Sequence, residues 1–210
     1  MKNKVHIVGI GPGTEDYLLP IAKRTIDASD CLIGGKRALQ LFHDLHKEEI
    51  PLEGNFEAVI PYIEKNRRKK RIAVLVSGDP GFYSFLRRLS RVLEREEYVV
   101  IPGISSIQVA FARLGEGWED AKIVSLHGRK MTNLAAKVKA SSKLFLFTDS
   151  GFPPDKIAAY LLEKGVGNRK AVVLEYLTYP NERIVETDLK QLQKMEGFGL
   201  CVMIIKEEVE

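Results

Sequence analysis

Seven short apolar runs rich in β-branched residues punctuate the chain, at residues 5–10, 72–76, 99–101, 123–126, 144–147, 171–174 and 200–205. Most are nearly continuous rather than alternating. An alternating strand has one wet face, whereas a continuous apolar strand is buried on both, with helices covering it. Helical patterns fill the intervals. In "SFLRRLSRVLERE" the residues Phe85, Leu86, Leu89, Val92 and Leu93 form one stripe and the arginines another. "PPDKIAAYLLEKGVG" opens with proline and offers Gly165 as the residue just past the helix end. The expected class is therefore α/β throughout. The segment "RLGEGWEDAK", residues 113–122, combines glycines and acids between two well-patterned regions and is the best linker. The chain is accordingly divided into an N-terminal α/β domain, 1–115, and a C-terminal α/β domain, 120–210.

At 210 residues and 45% hydrophobic composition, there is enough material for one large or two small cores. The formal charge of +4, from 32 basic and 28 acidic residues, is too mild for a nucleic-acid tail and compatible with an acidic small substrate. The basic run "KNRRKKR", residues 65–71, reads as a solvated helix end. Cys31 and Cys201 both sit in apolar runs, which suits buried free thiols in a reducing cytoplasm. No stretch approaches a membrane span, and the first apolar run is too short for a signal-peptide core, so a cytoplasmic protein is expected.

Three loops share one design. "GIGPGT" (9–14), "SGDPGFYS" (77–84) and "PGISS" (102–106) each follow an apolar strand and consist largely of glycine, proline and small polar residues. In open α/β sheets the ligand crevice lies beyond the carboxyl ends of the strands, so three such loops on one edge line one pocket. Their glycines allow a ligand to approach the backbone. The first loop is not a dinucleotide fingerprint: G-x-G-x-x-G wants glycine at position 14, where Thr14 stands, and Pro12 has no N–H to offer a phosphate. Asp79 is either a hydrogen-bond acceptor, a partner for a ligand's ammonium group, or the cap of a helix beginning near Pro80. No Ser/His/Asp or Cys/His nucleophile is apparent. His6, His43, His46 and the two cysteines show no metal-ligand spacing, and the His43/His46 pair reads as a surface helix, so no protein-bound metal is expected.

In this order and with these separations, "VGIGPG", "SGDPGFYS" and "PGISS" resemble the tetrapyrrole methylase family over essentially the whole chain. The resemblance implies a two-domain fold, each domain a mixed sheet flanked by helices. S-adenosylmethionine would be held in a cleft between the domains of a homodimer. By match to the family's motifs, Pro12, Ser77, Gly78, Asp79, Phe82, Ser105 and Ser106 meet the cofactor from the first domain. Thr148 and Leu177 meet it from the second; at position 177 many members carry glycine. "SLHGR", residues 125–129, resembles the branch that methylates carbon 5 of cobalt-precorrin-7 (or precorrin-6Y) in cobalamin biosynthesis, in its stand-alone form. A separate decarboxylating enzyme acting at carbon 15 is then a possible partner. His127 and Arg129 are the candidates for gripping the anionic tetrapyrrole's carboxylates, with Arg113 and Lys130 as weaker ones. Neither nucleic acid nor a membrane is expected as a partner. The alternatives sharing the fold act on another corrin carbon, a diphthine precursor or ribosomal RNA. The alternative of another class is a catalytically silent binding protein.

Overall fold

The computed structural model of the protein describes residues 3–52, 56–126 and 131–207, the side chains of residues 56 and 57 apart. It divides into two compact units, Met1–Ser106 and Ile107–Glu210.

The first unit alternates strand and helix: β1 (Val5–Gly9), α1 (Pro20–Asp27), β2 (Cys31–Gly34), α2 (Lys36–Gln40), β3 (Glu48–Pro51), α3 (Phe56–Asn66), β4 (Ile72–Val76), α4 (Leu86–Leu89) and β5 (Tyr98–Ile101). The strands form one sheet in the order β3-β2-β4-β1-β5. Every pairing is parallel, with Ile7 opposite Val74 on one side and Val100 on the other. The mixed sheet expected for each domain is thus absent here. A helix between every two strands returns the chain to the same edge, and that forces parallel pairing. Successive residues of β1 feed opposite faces: Val5 and Ile7 join Val59, Ile63 and Leu89, whereas Val8 and Ile10 join Ala22, Ile26 and Leu39. Burial on both faces is why the run is continuous rather than alternating.

The second unit comprises α5 (Ser106–Leu114, whose first residue marks the division), β6 (Lys122–Ser125), α6 (Leu134–Lys139), β7 (Lys143–Phe147), α7 (Pro154–Glu163), β8 (Lys170–Glu175), β9 (Arg183–Asp188), α8 (Leu189–Leu192) and β10 (Cys201–Lys206). Its sheet, β6-β7-β10-β8-β9, is mixed: β6 and β7 are parallel, and every later pair is antiparallel. Leu134, Val138, Ile157, Leu161 and Leu192 cover one face. Toward the other, Phe111 of α5 meets Phe145 of β7 with ring centroids 6.1 Å apart.

That contact explains why the division falls at the start of α5 rather than within 113–122. Gly115, at φ +64°, ends α5, and Glu116 N–H donates to Phe111 O at 3.0 Å in the manner of a Schellman cap. Lys143 Nζ then reaches Gly117 O at 2.9 Å and Asp120 Oδ1 at 3.0 Å, and Lys206 pairs with Glu116. The acids and glycines of this segment belong to a pinned helix exit.

Two other patterns differ from expectation. Regular α-helix in "SFLRRLSRVLERE" is confined to Leu86–Leu89; Phe85, Leu89 and Leu93 are buried as the stripe predicts, but Val92 is 45% exposed. In "KNRRKKR", Arg67 is 7% exposed and pairs with Glu97, while Lys70 pairs with Glu48 and Arg71 with Asp30. Arg71 beside Asp30 holds that carboxyl down at about 2. The run ties helix to strand starts. Both cysteines are free and buried, and burial pushes the Cys201 thiol up to about 11. No helix among the described residues is long and apolar enough to cross a membrane.

Candidate active site

Because β4, β1 and β5 are adjacent and parallel, the three glycine loops leave the same edge of the first sheet side by side. They are joined to one another. Gly78 N–H donates to Gly11 O at 2.7 Å, forming an isolated bridge between the first two loops. Asp79 links the second and third: Oδ1 accepts Gly81 N–H at 2.7 Å within its own loop, and Oδ2 accepts Gly103 N–H at 3.0 Å. The acceptor reading of Asp79 is realised within the protein itself. Residues 80–84 form turns, and α4 begins only at Leu86, so the carboxylate caps no helix near Pro80.

The glycines take a different role from the one their composition suggests. A β-carbon on Gly9 would stand 2.6 Å from Gly103 N and 2.7 Å from Gly78 O. One on Gly103 would stand 2.8 Å from Gly9 Cα and closer still to Gly78 O. Gly9, Gly78 and Gly103 therefore meet backbone to backbone, and side chains are excluded at 9 and 103 by the neighbouring loops rather than by a ligand. Gly11 (φ +80°) and Gly78 (φ +70°) take the left-handed conformation that glycine adopts without strain. Gly78 is the roomier of the two, its nearest neighbours being atoms of Ile104 and Ser105 at 3.7–4.0 Å.

The matched residues of the first unit are thereby brought together at one sheet edge. Pro12, Gly78, Asp79, Phe82 and Ser106 are half-buried, Ser77 is exposed, and Ser105 is buried at the head of α5. In the second unit, Thr148 follows β7. Its hydroxyl donates to Cys201 O at 2.5 Å and lies 3.3 Å from Cys201 Sγ, joining the ends of β7 and β10. Thr148 lines a cavity of about 540 Å³ with Asp149, Asp155, Phe198 and Gly199. Leu177 is 6% exposed in the β8–β9 hairpin loop and does not line that cavity. His127, Arg129 and Lys130 lie outside the described residues, just beyond β6. Arg113 is held by Glu182, with Nε 2.6 Å from Oε1. Among the described residues no group of three or more His, Cys, Asp or Glu side chains is arranged to hold a metal ion. His43 and His46 fall in and just after a short 3-10 turn, where His43 Nδ1 is 3.2 Å from Glu49 Oε1.

Residues 4–193 match the family described as Tetrapyrrole (Corrin/Porphyrin) Methylases. The chain belongs to the tetrapyrrole methylase family. Among the relatives of this methylase, a probable cobalt-precorrin-7 C(5)-methyltransferase of Methanocaldococcus jannaschii is 35% identical over 98% of this chain and 99% of its own. The cobalt-precorrin-7 C(5)-methyltransferase of Salmonella typhimurium is 36% identical over 85% and 87%. The crystal structure of a precorrin-6Y methylase from Archaeoglobus fulgidus superposes with a TM-score of 0.75 at 26% identity, covering 98% of this methylase and 99% of that chain.

Sequence reasoning gathered the loops but missed what binds them to one another. The Asp79–Gly103 bond and the meeting of Gly9 with Gly103 join residues far apart in the chain, and no local signal marks them.

Proposed function

We propose that this tetrapyrrole methylase transfers a methyl group from S-adenosylmethionine to carbon 5 of cobalt-precorrin-7 or precorrin-6Y in cobalamin biosynthesis. The observation that carries the choice of carbon is similarity to relatives named for C(5), at 35% identity over 98% of the chain and 36% over 85%. A relative named for C(17) reaches 30% over 66% of the chain, and one named for C(11) reaches 27%.

The donor's sulfonium supplies an already reactive methyl group, which leaves the protein the work of orienting two molecules and excluding water. Orientation alone is worth roughly 7–11 kcal/mol in favourable cases. Pro12, Ser77, Gly78, Asp79, Phe82, Ser105 and Ser106 would hold the donor from the first unit, and Thr148 and Leu177 from the second. Two features support the fit. Gly78 presents open backbone beside buried Ser105, and Thr148 stands in the wall of a cavity of about 540 Å³. Arg129, with His127, would grip a peripheral carboxylate of the substrate. The same reading, on family resemblance, makes the protein a cytoplasmic homodimer.

Labelled S-adenosylmethionine incubated with a panel of corrin intermediates should give one product, methylated at carbon 5, by mass spectrometry and NMR. Label at another carbon would replace the substrate assignment, and no transfer to any corrin would end it. Calorimetry should show binding of S-adenosylmethionine and S-adenosylhomocysteine, with none of NAD. Arg129→Ala should raise KM for the tetrapyrrole roughly ten- to a hundred-fold, the worth of a bidentate charged pair, while cofactor affinity holds. Arg129→Lys should recover only part, because a point charge does not reproduce the fork. Unchanged tetrapyrrole kinetics in Arg129→Ala would remove that residue from the substrate site.

A further inference from the structure

The hairpin loop between β8 and β9, residues 176–182, contains backbone that L-residues avoid. Tyr176 sits at φ +47° and Thr178 at φ +74°, with buried Leu177 between them. Tyr179 N–H donates to Tyr176 O at 2.8 Å and Glu182 N–H to Tyr179 O at 2.9 Å, so two turns follow in succession. Thr178 occupies the third place of the first turn, where a positive φ calls for glycine or asparagine. A β-branched residue there is a true outlier. Such backbone persists only where its surroundings over-determine it, and it gathers at ligand sites.

The surroundings are visible. Arg113 grips Glu182 through two contacts, Nε to Oε1 at 2.6 Å and Nη2 to Oε2 at 3.3 Å. Glu182 Oε2 also accepts Thr178 N–H at 2.6 Å. A guanidinium, a carboxylate and a backbone amide thus form a line that ends on the strained residue. Hydrogen bonding to Arg113 holds the Glu182 carboxyl below its ordinary range. A second anchor lies at the loop's base. Glu175, only 2% exposed, accepts Gly199 N–H at 2.8 Å on Oε1 and Arg183 Nε at 2.6 Å on Oε2. Tyr176 N–H donates to Leu200 O at 2.8 Å. Gly199 and Leu200 belong to the wall of the cavity that Thr148 lines. The loop and that wall are one braced structure.

Reversing the chain between two antiparallel strands requires none of this; a glycine turn does it without strain. We infer that Arg113 and Glu182 are positioning residues, which fix the Tyr176–Thr178 backbone, and with it Leu177 and the adjoining cavity wall, to receive the adenosine part of the methyl donor. The inference rests on the functional reading above, in which Leu177 and Thr148 meet that donor.

In the full chain, Glu182→Ala should weaken S-adenosylhomocysteine binding about tenfold by calorimetry, the effect of losing the charge-assisted bond to Thr178 N–H that holds the loop, while KM for the tetrapyrrole stays put. Adding Thr178→Gly should restore most of the affinity, because glycine takes the positive φ unaided. Arg113→Lys should fall between parent and Glu182→Ala, because a point charge replaces the fork. If Glu182→Ala does not fold, Glu182→Gln serves instead: its amide oxygen keeps the Thr178 bond, the pairing with Arg113 is lost, and the expected result matches Arg113→Lys. A variant that melts lower yet binds S-adenosylhomocysteine like the parent overturns the proposal, as does failure of Thr178→Gly to rescue. A parent chain that binds no S-adenosylhomocysteine overturns the functional reading and the proposal together.

Discussion

Gly103→Ala is expected to lower S-adenosylhomocysteine affinity at least a hundred-fold and the melting temperature by about 10 °C. The added methyl has no free direction: Gly78 O, Gly9 C and Gly9 Cα all lie against it, and all are backbone. A clash with a flexible side-chain end is relieved by a rotamer change, but here a loop must move. Overpacking of this kind costs typically about 1–3 kcal/mol, and the rigid partners place it at the upper end. For a chain of this size about 3 kcal/mol corresponds to roughly 6–12 °C. Affinity falls further than stability, because the displaced atoms belong to the first two loops, where most of the matched first-unit residues lie. Gly35→Ala is the control: a β-carbon there meets nothing within 4 Å, so affinity and melting should stay close to the parent. Parent-like binding by Gly103→Ala would show that the loops accommodate separately and that their close approach does not shape the site.

The second large effect belongs to Asp79. Asp79→Ala removes the acceptor for Gly81 N–H and for Gly103 N–H together. A charged hydrogen bond contributes about 1.5–3 kcal/mol, so loss of the Gly103 link, the one that reaches the third loop, should lower cofactor affinity ten- to a hundred-fold, while loss of the Gly81 bond falls on stability. Asparagine is the discriminating replacement. Its carbonyl can keep the Gly81 turn, as Asx turns commonly do, but its amide nitrogen then faces Gly103 N–H, donor against donor. Asp79→Asn should therefore melt closer to the parent than Asp79→Ala while binding S-adenosylhomocysteine nearly as weakly. Full recovery of affinity by asparagine would mean that the link to the third loop is dispensable.

The two predictions mark where sequence reading succeeded and where it stopped. The continuous apolar runs located β1, β4, β5, β6, β7, β8 and β10 to within a residue or so at each end, because burial on both faces leaves a strong local pattern. The strands it passed over are β2, β3 and β9. β2 and β3 are four residues each, and "EEIP" and "RIVETD" carry charges at a sheet edge, where one side of the ladder is unpaired. Residues 113–122 read as a linker because glycines and acids mark loops in general; whether a loop is free or pinned depends on Lys143 and Lys206, which stand far along the chain.

For the site the same boundary holds. The order and spacing of three glycine loops after apolar strands were enough, by themselves, to determine the fold class, the sheet edge at which the loops gather and the family. Those are properties of contiguous residues, and each loop must individually turn from strand toward helix. Only the tertiary structure decided what the glycines and Asp79 are for. Gly9, Gly78 and Gly103 meet because parallel pairing sets β4, β1 and β5 side by side. Asp79 bridges to Gly103, and Glu182 reaches back to Arg113, because folding closes the intervening chain. Hydrogen bonds and steric exclusion act over a few ångströms in space, and sequence separation carries no record of which distant residues will come within that range.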